Sequence, residues 1–202
     1  MSLRFLKYRL MAFENSVIAH ARSHAPYYAS LLQQGRVIAC PAEGVWGLSC
    51  DPHNETAVSD LLAMKDRPAS KGLIVVADRS EVFADVLEGL PNDQADVLEA
   101  SWPGPNTWLV PHRTVFPGWV TGDSDEVAIR VTSAPALSAV CQAFGGALVS
   151  TSANPAGLAA PHALWEVRRY FGSALPAMPG PNDPEGKPST IRRAGDGTVI
   201  RV

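Results

Sequence analysis

Three short stretches of this chain carry almost no polar residue: Leu73-Ile74-Val75-Val76-Ala77, Val127-Ala128-Ile129-Arg130-Val131 and Ala147-Leu148-Val149 running into Ser150-Thr151. A strand with one wet face alternates polar and apolar residues. A run without alternation fits a strand covered on both faces. Each run is far shorter than the ~20 residues that cross a bilayer. Between them the apolar spacing is helical. Ser16 to Gln34 places Val17, Ile18, Ala21, Ala25, Tyr28, Leu31 and Leu32 on one face, with Gly35 as a C-cap. Asn54 to Met64 reads as a helix capped by Asn54, Asp93 to Ala100 as another, Pro135 to Phe144 as one opened by proline, and His162 to Phe171 as a fifth. Arg36 to Cys40, stopped by Pro41, and Thr107 to Val110 read as strands. Arg192 to Ile200 reads as a closing hairpin around Gly195-Asp196-Gly197. Interleaved helices and strands without a repeat specify an α/β domain. Residues 1–15 read as an N-terminal extension that can lie outside the fold, residues 16–202 as the domain, and the Pro/Gly-rich stretch 176–188 as a loop.

Charge narrows the functions. Lys plus Arg is 17 against 20 Asp plus Glu, so the net charge is −3, and charged residues make up 18% of the chain. That excludes disorder and argues against a nucleic-acid binder that works by bulk positive charge. Cys40, Cys50 and Cys141 form no CxxC, and the odd count fits reduced thiols in the cytosol. The N-terminus lacks an uninterrupted apolar segment and a small-residue cleavage site, so it is not read as a signal peptide. The five histidines show no zinc-ligand spacing.

The distribution of the few cations is more informative than their sum. No Lys or Arg lies between Arg36 and Lys65; then Lys65, Arg67 and Lys71 fall within seven residues, at a helix C-terminus and just before a buried strand. Two explanations compete there. Lys65 complements the helix dipole and the others are solvated, or the cluster reaches the sheet edge where α/β folds hold ligands and clamps a polyphosphate. Ser150-Thr151-Ser152-Ala153-Asn154, followed by Pro155 and Gly157, puts hydroxyls and an amide at a strand end. They can satisfy local backbone or donate to phosphate oxygens. Arg130 lies inside an apolar strand and needs a partner, either a structural carboxylate or an anionic ligand. The stretch Gly180 to Ser189 fails as a P-loop: its spacer is five, Pro188 follows Lys187, and no helix follows. No GxSxG, GxGxxG or Ser-His pair marks a covalent nucleophile.

Six segments in order carry a resemblance: Pro41-Ala42-Glu43-Gly44-Val45-Trp46-Gly47-Leu48, Lys65 through Ile74, Trp102-Pro103-Gly104-Pro105-Asn106-Thr107, Val127 through Val131, Ser150 through Asn154, and Pro188-Ser189-Thr190-Ile191. Together they resemble the YrdC-like family of threonylcarbamoyl-AMP synthases, in its short single-domain bacterial form. The resemblance implies a twisted mixed β-sheet flanked by helices with an open concave ligand site. It implies a cytoplasmic nucleotidyltransferase that converts L-threonine, bicarbonate (or CO2) and ATP into threonylcarbamoyl-adenylate, diphosphate and water, with Mg2+ on the phosphates. Downstream threonylcarbamoyl-transfer proteins then modify tRNAs that read codons beginning with A, so tRNA itself is an indirect partner, and no membrane is involved. Carried over by position, Lys65 and Arg67 are the catalytic triphosphate clamp with Lys71 behind them. Ser152 and Asn154 are neutral donors to the nucleotide, and Gly44, Arg130, Ser150 and Ser189 form the threonine end. Arg201 matches an arginine that closes over ATP in longer relatives. The resemblance assigns no metal ligands. This chain departs from it at Ala42 and Gly44, where hydroxyls near the amino acid are missing, and at Ala156. Two rival readings remain: an RNA-binding or ribosome-maturation module, and a relative that transfers another carbamoyl or acyl group.

Overall fold

In the computed structural model, which describes residues 3–111, 114–183 and 185–201, the three apolar runs become neighbouring central strands. The chain orders its elements as α1 (Leu3–Gln33), β1 (Ile38–Pro41), β2 (Trp46–Cys50), α2 (Glu55–Met64), β3 (Ile74–Ala77), α3 (Ala84–Leu87), α4 (Asn92–Ala100), β4 (Asn106–Pro111), α5 (Gly118–Thr121), β5 (Glu126–Val131), α6 (Pro135–Phe144), β6 (Leu148–Ser152), α7 (Leu164–Phe171), β7 (Thr190–Arg193) and β8 (Val199–Arg201). The strands form one eight-stranded sheet in the order β1-β2-β6-β3-β5-β4-β7-β8. β3–β5 and β4–β7 are parallel and the other pairs antiparallel, so the sheet is mixed. Burial explains why the central runs lack alternation. Val75, Ala77, Ile129, Val131 and Val149 pack on one face with Val58 and Leu61 of α2, Leu98 of α4 and Val120 of α5. Val76 and Leu148 point the other way, into Ala21, Ala25 and Leu32 of α1 and Leu137 and Val140 of α6.

That second face is only half covered. α1 and α6 lie over β1, β6 and β3 at one end, while Ile74, Ala128, Arg130 and Ser150, on the same face by strand periodicity, line a cavity. The uncovered half is the concave site.

Local signals behave as their chemistry requires. The Asn54 side chain accepts from Ala57 N, Pro135 opens α6, and Gly35 takes a positive φ just past α1. Gly195-Asp196-Gly197 turns β7 into β8. Among the differences from the sequence reading, three have a clear physical reason. Pro41 is the last residue of β1 rather than the residue that follows it; a proline is tolerated at that place because it removes only one ladder donor. β2 went unread because Trp-Gly-Leu-Ser-Cys has no β-branched residue. Its strand state comes from pairing with β1 and β6. The helix expected from Ser16 begins at Leu3, so the backbone of the extension continues α1, and the buried face of residues 15–33 begins at Ala21. The loop 176–188 is strapped along the molecule: Ala39 N donates to Pro176 O, Met178 N donates to Ala39 O, and Met178 is fully buried. No helix among the described residues is long and apolar enough to cross a membrane.

Candidate active site

The cavity holds about 380 Å³ and is walled by β2, β6, β3 and β5, by the loop after α2, by the β1–β2 hairpin and by the segment entering β7. Of the residues singled out in the sequence, Gly44, Arg67, Lys71, Arg130, Ser150, Ser152, Ser189 and Arg201 line it. They come from six separate stretches of chain. Lys65 and Asn154 stand behind the wall.

The loop after α2 is held by its own cations. Lys65 caps the helix and is 4% exposed, with its Nζ donating to the carbonyls of Ser152 and Asn154, the second at 2.8 Å. Its backbone carbonyl takes Ala156 N at 2.7 Å. Lys65 therefore ties the end of α2 to the end of β6, and no carboxylate among the described residues forms an ion pair with it. Burial, with Arg67 nearby, lowers its pKa to about 8. Lys65 stands at the C-cap of α2, where the dipole explanation puts it, but it is buried, and its ammonium sits on the carbonyls of Ser152 and Asn154 rather than in the cavity. Arg67 Nη2 donates to Gly72 O at 2.8 Å, and its buried Nε has no partner. Burial lowers the Arg67 pKa. Gly72 has φ 61, and a Cβ there would lie 2.8 Å from Thr121 O, so this loop passes the cavity where a side chain has no room.

Asn154 is engaged in its own loop. Its Nδ2 donates to Pro155 O and Leu158 O, closing its own loop, while its buried Oδ1 is unpartnered. The amide is spent locally as a donor and is left with an acceptor.

Arg130 found the carboxylate its position demanded. Nη1 donates to Glu43 Oε2 at 2.7 Å, with the two side chains 7% and 11% exposed. Glu43 Oε1 accepts from Thr132 Oγ1 at 2.7 Å and from Ser133 N at 2.9 Å. The guanidinium is thus clamped on one side, while its buried Nε has no partner. A fork held at one end and unsatisfied at the other suits a carboxylate ligand. Ser189 Oγ and Thr107 Oγ1 share a 2.8 Å hydrogen bond, and Arg201 Nη2 donates to Ser189 O at 3.0 Å. The Arg201 pKa is lowered by burial and then by the charges of Arg130 and Arg67. Arg201 therefore feels the other two guanidiniums across the cavity, a field that an anionic ligand relieves.

Glu43, Thr107 and Thr132 are partners of the candidate residues that the sequence reading did not assign. Glu43 lies 87 residues from Arg130, so no local pattern links them. Lys187, set aside with the failed P-loop, also lines the cavity. Gly44 explains its own departure: a Cβ there would fall 1.9 Å from Lys187 O, so this wall excludes a hydroxyl-bearing side chain. Among the described residues no group of three or more His, Cys, Asp or Glu is arranged to hold a metal ion.

Comparisons with known proteins converge on one family. The Sua5_yciO_yrdC model, described as "Telomere recombination", matches residues 30–202. The threonylcarbamoyl-AMP synthase of Halorhodospira halophila is 48% identical over 174 residues, 86% of this chain and 91% of that protein. The one from Stutzerimonas stutzeri is 49% identical over 86% of this chain and 94% of its own length. Among solved structures, P. abyssi Sua5 complexed with L-threonine superposes with a TM-score of 0.80 at 24% identity, over 88% of this chain and 53% of that one. E. coli YciO gives 0.76 at 17% identity, over 90% and 88%. The chain thus spans about half the length of that Sua5 protein, and both likenesses concern the fold.

Proposed function

The chain belongs to the Sua5/YciO/YrdC family, and on that footing we propose that it is a threonylcarbamoyl-AMP synthase. The reaction joins L-threonine, bicarbonate and ATP into threonylcarbamoyl-adenylate, diphosphate and water, the first step of threonylcarbamoyladenosine formation on tRNA. The observation that carries this reading is the convergence of Arg67, Lys71, Arg130 and Arg201 with the hydroxyls of Ser150, Ser152 and Ser189 on one concave cavity.

The chemistry asks for positioning and charge. The threonine amine captures CO2, a carbamate oxygen attacks the α-phosphorus, and diphosphate leaves. No protein nucleophile takes part, and the rate comes from in-line alignment and stabilised phosphate charge. In our assignment the unpartnered Nε side of Arg130 receives the threonine carboxylate, with Ser150 and Ser189 beside it and Gly44 leaving room. Arg67 and Lys71 take the triphosphate, and Lys65 adds its charge from behind while fixing the Ser152–Asn154 backbone. Arg201 closes the nucleotide end. Ser152 donates, and Asn154 contributes its free Oδ1 as an acceptor. The described residues do not fit a protein-held metal ion, so no step is assigned to one, and Mg2+ enters only as a cation carried on ATP. We place the enzyme in the cytoplasm, a setting supported by three buried free thiols, and its product passes to threonylcarbamoyl-transfer proteins acting on tRNA.

Diphosphate release measured with threonine, bicarbonate or ATP omitted singly tests this. The reading requires release to collapse in each omission. Release that survives without threonine and bicarbonate would indicate a different acyl or carbamoyl transfer. Tight tRNA binding that moderate salt abolishes, with no release at all, would favour an RNA-binding module.

A further inference from the structure

Ser49 has 0% exposure, and its Oγ has no hydrogen-bond partner among the described residues. An orphaned hydroxyl in the interior costs folding free energy that an alanine would not, so such a group calls for an explanation. Strand periodicity says which way it points. Its neighbours Leu48 and Cys50 belong to the core on the far face. Ser49 therefore shares the cavity face with its register partners, Ile38 on β1 and Ser150 on β6. Ser150 lines the cavity, and its Oγ leans along the sheet toward Gly47, 3.4 Å from where a Cβ would stand there. The register sets two serines opposite each other on this face, Ser150 in the cavity wall and Ser49 buried beside it, and the Ser49 Oγ bonds neither to Ser150 nor to any other described residue. At the opposite wall Gly44 cannot carry a hydroxyl, because Lys187 O fills its place.

Resting on the synthase reading, we infer that Ser49 is a positioning residue that sets the preference for a hydroxy amino acid. When the amino acid enters, Ser150 turns toward Ser49, its Oγ accepts the Ser49 proton, and its own proton is directed at an oxygen of the ligand. A serine fixed in this way donates well to the threonine side-chain hydroxyl and has nothing to offer the methyl group that replaces it in valine. Polar groups left unpaired by the wrong ligand are what make such a site selective.

The test is calorimetric titration of L-threonine and L-valine into the full chain and into Ser49→Ala, Ser150→Ala and the double variant. Ser49→Ala weakens threonine binding about fivefold, the factor one neutral hydrogen bond carries. It leaves valine binding unchanged and keeps or raises Tm. The double variant binds threonine no more weakly than Ser150→Ala, because Ser49 acts through Ser150. In turnover the effect falls on KM for threonine rather than on kcat. A Ser49→Ala variant with unchanged threonine-to-valine discrimination, or with a loss additive to that of Ser150→Ala, overturns the inference. A wild type that binds threonine but releases no diphosphate defeats the synthase reading while Ser49 is still judged on the binding ratio. A wild type that binds no threonine defeats both.

Discussion

Two buried cations, Arg130 in the wall of this cavity and Lys65 behind it, have opposite surroundings. Arg130 carries its counter-charge with it: Glu43 sits 2.7 Å away and is itself held by Thr132 and Ser133. Lys65 has only the carbonyls of Ser152 and Asn154, and burial lowers its pKa to about 8. The first arrangement makes a rigid tool, a guanidinium aimed by one carboxylate at another. The second leaves an unmet demand for negative charge at the corner where a triphosphate would bring it. On the proposed assignment the two places solve different problems, orientation where the amino acid would sit and electrostatic attraction where the nucleotide would.

Breaking the paired end has the largest effect. Glu43→Ala strands a buried guanidinium and lowers unfolding free energy by about 3–5 kcal/mol, read from urea denaturation. At the unpaired end, Arg67→Ala leaves the fold intact, since it removes a cation with no ion-pair partner among the described residues. It lowers diphosphate release roughly 10²-fold, as loss of one preorganised donor does. Gly44→Ser forces a Cβ onto the Lys187 carbonyl and costs about 1–3 kcal/mol of stability by overpacking, seen as a lowered Tm. Arg193→Ala removes a guanidinium 42% exposed from its 3.0 Å contact with Glu126. It changes stability by less than about 1 kcal/mol, which measures how much of the Glu43–Arg130 effect depends on burial.

The same contrast governs what could be read before the fold was seen. Arg130 announced itself, because an arginine amid Val127, Ala128, Ile129 and Val131 has to be paired. Its partner did not, because Glu43 reaches it only through the curl of the β1–β2 hairpin over the sheet. The loop at Lys65 was legible as a helix end by its spacing. That its ammonium faces the carbonyls of β6 was not, since backbone carbonyls leave no trace in side-chain pattern. Ser150, Ser152 and Asn154 were legible as a polar strand end, yet which Asn154 atom remains free depends on a turn closed at Leu158 O. The central strands were plain from their apolar runs. β2 was hidden because its residues are strand-like only between β1 and β6.

The most direct test of the contrast is proton uptake when ATP binds. With a pKa lowered to about 8 from the ordinary 10.5, folded Lys65 releases its proton earlier than in the unfolded chain. The unfolded chain therefore binds more protons between those values, and stability rises with pH across that window and is flat below it. A bound triphosphate favours the charged ammonium and raises the pKa again. Calorimetry in buffers of different ionisation enthalpy, about one pH unit above 8, then finds a fraction of a proton taken up per ATP by the wild type, and none of that fraction by Lys65→Met. A binding enthalpy that does not depend on the buffer, or an uptake equal in the two proteins, would contradict the view that Lys65 waits for an anion.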